Sequence, residues 1–355
     1  MLSSTAEPPD APRSWRSRRL RLAGVAVSVL VLAAIGLRGR LPDPHEFLVA
    51  LTGAHWGWVA AAVVLQIASI GAFACQHQYL LNALGVRIRR RRVMAITVAG
   101  TAISISVPAG AAVSAGYSIR EYERAGAPRE IGAVSAIVNG LASIGGLALI
   151  YVAGGAVVLM YSSTTSLTWR PLVIVGVLAA LTFAAVALGR RLAEAPPAPS
   201  PSASPESVKQ RGRVALYVHG LLVAAREAWR AGAGLRIRDW CAVVGYAALN
   251  WLTDLLCLVA CTRALGLDVN LITLAGIYLG VQIVRQVPLS PGGIGVIETA
   301  LVAGLTTAGA TAIIASAAVL IYRLLSCWIL LPAGGAAALF LRRAGTRQPV
   351  PIGTR

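Results

Sequence analysis

The sequence predicts an all-α polytopic membrane protein, a helix bundle with two broken re-entrant hairpins that form an inverted repeat. Of its 355 residues 57% are hydrophobic and only 13% charged, and the mean hydropathy is +0.71. This composition excludes a soluble domain with a polar surface. The net charge of +18 comes from arginines that cluster between apolar spans, where they mark cytoplasmic loops rather than a nucleic-acid surface. Finally, glycine and proline interrupt two of the apolar stretches.

The spans and basic clusters divide the chain into five segments. A polar basic cytoplasmic tail is followed by the first half of the transmembrane domain, a cytoplasmic linker with an amphipathic segment, the second half, and a second basic cytoplasmic tail. Their bounds are 1–21, 22–188, 189–239, 240–341 and 342–355.

The first apolar span, 22–37, follows a cluster of arginines, so the positive-inside rule predicts a cytoplasmic N-terminus. A basic segment before an apolar one also describes a signal peptide. However, no clean small-residue cleavage site follows, and two arginines close the span, which favours a retained helix. The second span, 56–84, then runs inward to the strongest cytoplasmic marker in the chain, Arg87 and the four arginines at 89–92.

The next stretch, 93–117, contains ISVPAGAAVSAG and is too interrupted for a plain span. If it crossed the membrane once, the arginine-rich region after the first half would lie outside, against the positive-inside rule. We therefore predict a re-entrant hairpin, broken at Pro108 and Gly110, that enters from the cytoplasm and returns to it. Span 131–161 then runs outward and span 171–188 inward.

The central linker includes APPAPSPSASP at 195–205, a composition typical of disorder. After it, 214–230 is predicted to be a helix that lies against anionic headgroups. Span 240–261 runs outward and carries Asn250 and Asp254 one turn apart, and such polar pairs usually face the interior of a bundle.

The last unit consists of 271–287, a PGGIG break, 295–308 and the returning span 312–341. Counting spans places its start outside, whereas the first broken hairpin starts inside. Both halves therefore have the order span, broken hairpin, span, in opposite orientation. This order predicts an inverted repeat whose broken elements meet near the midplane and build the substrate site.

The segment RQVPLSPGGIGVIE, 285–298, places a cation, two prolines, three glycines and a carboxylate between apolar flanks. Irregular backbone at membrane depth is tolerated only where it is buried in protein or lines a wet cavity. We therefore interpret it as the floor of a binding or transport site. The alternative is a short polar loop between two helices.

The sequence VPLSPGGIGVIETALV closely resembles the signature of the lysylphosphatidylglycerol synthase transmembrane, or flippase-like, family. In that family a P-x-x-P-G-G-x-G-x-x-E pattern precedes a helix with a Tyr-Arg pair. The resemblance in helix order covers most of the chain, from about Trp56 to Arg342. The matching positions are Pro288, Pro291, Gly292, Gly293, Gly295, Glu298, Tyr322 and Arg323.

Family members that make lysylphosphatidylglycerol carry a soluble aminoacyl-transfer domain after the membrane part, whereas this chain ends at Arg355. The resemblance therefore implies a membrane domain without the synthase, and we expect no enzymatic activity. The four histidines and five cysteines show no metal or triad spacing, so we also expect no cofactor.

The resemblance implies a protein that binds or translocates a phospholipid or lipid-linked headgroup. Two alternatives remain open: a transporter of small solutes, and a non-transporting partner of cell-envelope biosynthesis enzymes. The expected partners are membrane lipids and no nucleic acid, with a homo-oligomer or envelope enzymes as further possibilities. All but one of the 32 basic residues are arginine, which together with the richness in alanine and glycine indicates a GC-rich bacterial genome, so we expect a bacterial plasma membrane protein. The positive-inside rule predicts that both termini are cytoplasmic.

The candidates for phosphate binding are Arg285, Arg323 and Arg120, because a guanidinium makes bidentate contacts to phosphate. Glu298 would neutralise one of them in the empty site. Alternatively, Arg285 and Glu298 pair only to pin the hairpin. The predicted substrate-binding residues are Arg285, Pro288, Pro291, Gly292, Gly293, Gly295, Glu298, Tyr322, Arg323, Pro108, Arg120, Asn250 and Asp254.

Overall fold

The computed structural model describes residues 52–107, 110–161, 235–285 and 291–345. Within these ranges the chain forms α-helices and no strand, which confirms the predicted all-helical fold class. The helices, in chain order, are α1 (Trp56–Ala83), α2 (Arg90–Ser106), α3 (Gly110–Arg124), α4 (Arg129–Tyr161), α5 (Ile237–Ala264), α6 (Leu271–Arg285), α7 (Val296–Thr307), α8 (Ala312–Arg323) and α9 (Leu330–Gly345).

Several predicted features lie outside the described residues. They are the N-terminal tail 1–21, the spans 22–37 and 171–188, the linker 195–205, the helix 214–230, and the prolines Pro108 and Pro288.

Among the described residues, four helices are long and apolar enough to cross a membrane: α1, α4, α5 and the continuous unit formed by α8 and α9. For example, α1 has 28 residues and is therefore about 42 Å long, which exceeds the roughly 30 Å of a hydrocarbon core. The described part of the chain is therefore a multi-pass membrane protein.

The other helices are shorter and come in two pairs. The pair α2–α3 consists of helices of 17 and 15 residues, and the pair α6–α7 of helices of 15 and 12 residues. At 1.5 Å per residue, even the longest of them measures about 26 Å and falls short of the core thickness. Each pair stands between two long helices, which is the order that the repeat hypothesis expects. The re-entrant path and the inverted repeat themselves stay predictions.

Helices α1 and α5 pack against each other in opposite directions. His55, just before α1, donates its backbone N–H to the carbonyl of Ala264 at the end of α5, at 2.7 Å. At the other end the Tyr79 hydroxyl donates to Asp239 Oδ1 at 3.0 Å. The first long helix described in the first half, α1, therefore runs antiparallel to α5, the first long helix of the second half.

Helix α4 runs in the same direction as α5. Near its start, Val138 lies in one apolar cluster with Val243, and further along Leu147 lies in another with Leu255. The interface is close because Gly146 packs on the α5 backbone, where an added Cβ would stand 2.6 Å from the nitrogen of Ala248. Glycine is thus required for this helix contact.

Helix α9 packs antiparallel to α2 and ends beside the end of α1. Cys327, just before α9, clusters with Ile105 near the end of α2, whereas Leu341 clusters with Val93 near its start and with Leu81. Between α8 and α9 the chain makes a π turn, Leu324–Trp328. Helix α2 of the first half is therefore in direct contact with α9 of the second half.

Arginines collect at one end of the bundle, which we call the basic end. Leu81, Tyr122 and Leu341 form an apolar cluster that joins the ends of α1, α3 and α9 there. At the opposite end the half-buried Arg263 pairs with the exposed Asp268. The arginines that adjoin the cluster at the basic end are Arg87, Arg89, Arg90, Arg91, Arg92, Arg120, Arg124, Arg129, Arg342 and Arg343.

Candidate functional site at the PGGIG break

The backbone at the break takes conformations that favour glycine. After Pro291, Gly292 has φ 60°, Gly293 has φ 67° and Gly295 has φ 85°, all in the left-handed region. A residue with a Cβ pays roughly 1–2 kcal/mol for this conformation. The three glycines therefore allow a tight turn between α6 and α7 where a continuous helix is impossible.

The break also touches the first half of the molecule. A Cβ on Gly292 would stand 2.7 Å from the Cγ2 of Ile105 and 2.9 Å from its carbonyl oxygen. Ile105 lies in the last turn of α2, which is the first helix of the other short pair. The absence of a side chain at Gly292 thus lets the PGGIG turn pack on the α2–α3 pair.

Glu298 holds the start of α7 with both carboxylate oxygens. Its Oε2 accepts a hydrogen bond from the backbone N–H of Gly295 at 2.7 Å, which caps the helix N-terminus. Its Oε1 accepts from Arg323 Nε at 2.6 Å. The Glu298 side chain is 27% exposed, whereas that of Arg323 is 4% exposed. The pair is therefore mostly removed from solvent, and each ion depends on the other.

Arg323 adds a second contact to the turn. Its Nη2 donates to the carbonyl oxygen of Gly292 at 3.2 Å. Arg323 is the last residue of α8, so one side chain links the end of α8 to the turn and to the start of α7. The partner of Glu298 is thus Arg323, and the predicted alternative pair of Arg285 with Glu298 does not form.

A second buried polar group lies beside this ion pair. Asp254 on α5 is 7% exposed, and its Oδ2 accepts hydrogen bonds from Tyr278 of α6 at 2.7 Å and from Tyr322 of α8 at 2.9 Å. Three helices therefore converge on one carboxylate oxygen. Since Tyr322 precedes Arg323, this cluster and the ion pair are joined through α8.

A small cavity stands between these groups, with room for about one water molecule. Gln282 in its wall is 2% exposed, and its Oε1 has no hydrogen-bond partner within the described residues. Arg285 also lines the cavity and is exposed. The remaining lining residues are Tyr278, Val281, Ile297, Leu301, Tyr322 and Arg323. The cavity thus brings two guanidinium groups, two phenols and an amide together between apolar helices.

The structure separates other predicted site residues from this cavity. Asn250 Oδ1 accepts from Ser69 Oγ at 2.9 Å, so Asn250 joins α5 to α1 although it lies one turn from Asp254. Arg120 is exposed on α3 and takes no part in the contacts around Glu298 or Asp254. Pro291 begins the 3-10 turn, whereas Pro108 and Pro288 lie outside the described residues.

Sequence reasoning missed two residues of the site, Tyr278 and Gln282. With Arg285 they stand at positions i, i+4 and i+7 of α6, so all three share one face of an otherwise apolar helix. This polar stripe was a usable signal. Of these three residues, only Arg285 belongs to the RQVPLSPGGIGVIE segment.

Comparison with known proteins identifies the family to which the chain belongs. Residues 21–334 match the model of the family described as lysylphosphatidylglycerol synthase TM region. The chain is also 27% identical over 89 residues to a UPF0104 membrane protein of Methanothermobacter thermautotrophicus, in an alignment that spans 25% of this chain and 26% of that protein. Since the family match covers most of the chain, this protein belongs to the lysylphosphatidylglycerol synthase transmembrane-region family.

Proposed function

We propose that this protein binds a phospholipid or lipid-linked headgroup and moves it between the leaflets of a bacterial plasma membrane, without covalent chemistry. The observation that carries the proposal is the cavity beside the PGGIG turn. Its lining places Arg285, Gln282 and Tyr278 among helices that are otherwise apolar. Polar and charged groups are costly in a membrane interior and usually mark a pathway for a polar substrate.

Arg285 is the residue that we assign to the headgroup phosphate. Its side chain is exposed and lines the cavity, and a guanidinium suits bidentate contact with phosphate oxygens. Arg323 is already engaged by Glu298 and Gly292. We therefore assign Arg323 and Glu298 as positioning residues that hold the turn in place.

The cavity has room for about one water molecule and is closed to a headgroup. Binding therefore requires that α6 and α8, which carry most of its lining, move apart. Since α6 and α8 both belong to the second half of the chain, this opening is a movement within one unit of the predicted repeat.

The orientation follows from the basic end. Arginines there flank α1, α2, α3 and α9, and positively charged loops favour the cytoplasmic side. We therefore assign the basic end, and with it the end of α9, to the cytoplasm. The predicted crossing of span 22–37 would place the N-terminus on the same side.

A liposome assay tests the translocation. Fluorescent headgroup-labelled phospholipids in liposomes that contain the purified protein should become accessible to an external quencher faster than in empty liposomes. The Arg285→Gln variant should slow this exchange about tenfold, because it loses a charge-assisted contact to phosphate. The Arg285→Lys variant should retain part of the rate.

Arg120→Gln is the matched control, because Arg120 is also exposed but stands apart from the cavity. It should keep the wild-type rate, and an equal loss in both variants would contradict the assignment of Arg285. If anionic, zwitterionic and polyprenyl-linked lipids all stayed in place with folded protein, translocation would be rejected. The partner of envelope enzymes would then become the preferred function, and uptake of small solutes would be tested in the same liposomes.

A further inference from the structure

A second cavity, of about 280 Å³, lies beside the α2–α3 pair and is separate from the PGGIG turn. Its wall comes from α1, α2, α3 and α4, and we call it the hydroxyl cavity. Six serine and threonine side chains line it, together with a phenol, an imidazole and a primary amide. These polar residues are Thr97, Thr101, Ser104, Ser114, Ser118, Ser143, Tyr122, His77 and Asn139.

Two buried polar atoms in this wall lack a partner among the described residues. They are Thr97 Oγ1 and Asn139 Oδ1, and each residue is 4% exposed. Buried polar groups in proteins are nearly always hydrogen-bonded, because an unpaired one carries a desolvation penalty. Both residues line the cavity, so their unpaired atoms lie next to its space.

The other polar residues of the wall supply acceptors and rotatable donors, whereas Phe73 and the alanines Ala111, Ala115 and Ala136 make most of its exposed surface apolar. The Asn139 amide nitrogen donates to the Ser135 carbonyl at 2.9 Å, which leaves its oxygen free. Thr101 and Ser104 donate to carbonyls of their own helix, so their oxygen lone pairs remain available as acceptors. The hydroxyls of Ser114 and Ser118 lie close to Gly100, where an added Cβ would stand 3.0 and 3.3 Å from them.

Among the described residues, the cavity wall contains no aspartate, glutamate, lysine or arginine. An anionic headgroup would find no counter-ion among these residues, and an alkyl chain would leave Thr97 Oγ1 and Asn139 Oδ1 unpaired. We propose that the hydroxyl cavity binds an uncharged polyhydroxyl group, such as a sugar, which both donates and accepts hydrogen bonds. The group is either a free sugar or the sugar headgroup of a neutral glycolipid. This site does not depend on phosphate binding at Arg285 or on translocation.

Two variants change the cavity without a clash at Cβ. Thr97→Val removes an unpartnered hydroxyl at nearly constant shape. Gly140→Leu fills the space, since Gly140 lines the cavity and an added Cβ meets nothing within 4 Å. The matched control is Gly154→Leu, because Gly154 lies on the same helix, is not part of the lining and also has nothing within 4 Å of an added Cβ.

Binding is measured with the full chain in lauryldimethylamine oxide, a detergent without sugar. The probes are radiolabelled glucose by equilibrium dialysis, and glucosyl diacylglycerol against plain diacylglycerol by native mass spectrometry. We expect Thr97→Val to weaken binding of the sugar-bearing probe about fivefold, the usual effect of one lost hydrogen bond. Gly140→Leu should abolish binding, and Gly154→Leu should leave it unchanged.

The melting temperature in the absence of probe separates a binding role from a structural one. Thr97→Val should melt at or above the wild-type temperature, because it removes an unpaired buried hydroxyl. Retention of the glycolipid alone would identify a lipid-borne sugar, and binding of glucose a soluble one. The proposal is overturned if neither sugar probe binds, if plain diacylglycerol binds equally well, or if Gly140→Leu and Gly154→Leu have the same effect.

Discussion

The pairs α2–α3 and α6–α7 occupy corresponding places in the chain, but they are held together by different chemistry. The first pair lies against a cavity lined by hydroxyls and small residues, and no described residue in its wall is charged. The second is fixed by the ion pair of Arg323 with Glu298 and by three glycines with positive φ. Only the second pair therefore carries a motif that can be recognised in the sequence.

This difference follows from the free energy of placing a hydroxyl or a charged group inside a membrane. A hydroxyl in a helix can donate to a carbonyl one turn back, as Thr101 does, and so needs no distant partner. A guanidinium or carboxylate needs a counter-ion, and the loss of one ion strands the other. Substitutions in the second pair should therefore have the larger effects.

The largest expected effect concerns the orientation of the bundle. We propose a cytoplasmic basic end, so Asn270 between α5 and α6 faces outside and Glu130 at the start of α4 faces inside. In a background without the exposed Cys241, only Asn270→Cys should react with a membrane-impermeant thiol reagent in intact cells. Glu130→Cys should react after permeabilisation. The reverse pattern would invert the topology.

The next largest effect is expected at the ion pair. Glu298→Ala leaves the buried guanidinium of Arg323 without its counter-ion and removes the cap on Gly295. Breaking a buried pair in this way costs about 3–5 kcal/mol. The loss should appear as a lower melting temperature and a reduced yield of monodisperse protein.

The control for the ion pair is Asp268→Ala. It breaks the pair with Arg263 at the other end of the bundle, where the two side chains are 84% and 39% exposed. Exposed pairs contribute only about 0–1 kcal/mol. Equal tolerance of both changes would mean that the PGGIG segment is a surface loop, the alternative that the sequence left open.

A third prediction measures the contact between the two short pairs. Gly292→Ala should destabilise the protein by more than the roughly 1–2 kcal/mol of a left-handed backbone, because its Cβ would also meet Ile105. Gly266→Ala is the matched control, since Gly266 has φ 71° and open space around the missing Cβ. The difference between the two melting temperatures reports the packing on α2. No difference would place the turn away from the first half.

The positions of helices could be predicted from the sequence better than the partners of individual side chains. The predicted span 131–161 corresponds to α4, and the break falls at the glycines of the motif, because hydropathy, arginine clusters and glycine act locally. Partners across the break do not follow from spacing. Glu298 lies 13 positions from Arg285 and 25 from Arg323, yet the fold selects the more distant arginine.

The hydroxyl cavity was missed for a related reason. Serine and threonine are common in apolar helices and usually bond to their own backbone, so nothing in their spacing marks the few that stay unpaired. Thr97 became recognisable only when the packing of four helices placed it against a cavity. Its unpaired state is a property of the tertiary structure.

The smallest expected effect tests whether Asn250 belongs to the site at all. Ser69→Ala removes the hydroxyl that donates to Asn250 Oδ1 at 2.9 Å. This hydrogen bond is one contact within the long interface between α1 and α5. Side-chain hydrogen bonds between membrane helices contribute about 0.6 kcal/mol on average. The melting temperature should therefore fall only slightly, and the rate of lipid exchange in liposomes should stay at the wild-type value.

Asn250→Ala should have an equal or smaller effect, because Ser69 Oγ can still donate to the backbone carbonyl of residue 250, which accepts from it at 3.1 Å. Tyr322→Phe should instead cost about 1.5–3 kcal/mol, since the tyrosine donates to the buried carboxylate of Asp254. If Asn250→Ala slowed lipid exchange while Ser69→Ala did not, Asn250 would have a role in the transport path beyond helix packing. The separation of Asn250 from the candidate site would then be wrong, and the polar path would extend from Asp254 toward the interface with α1.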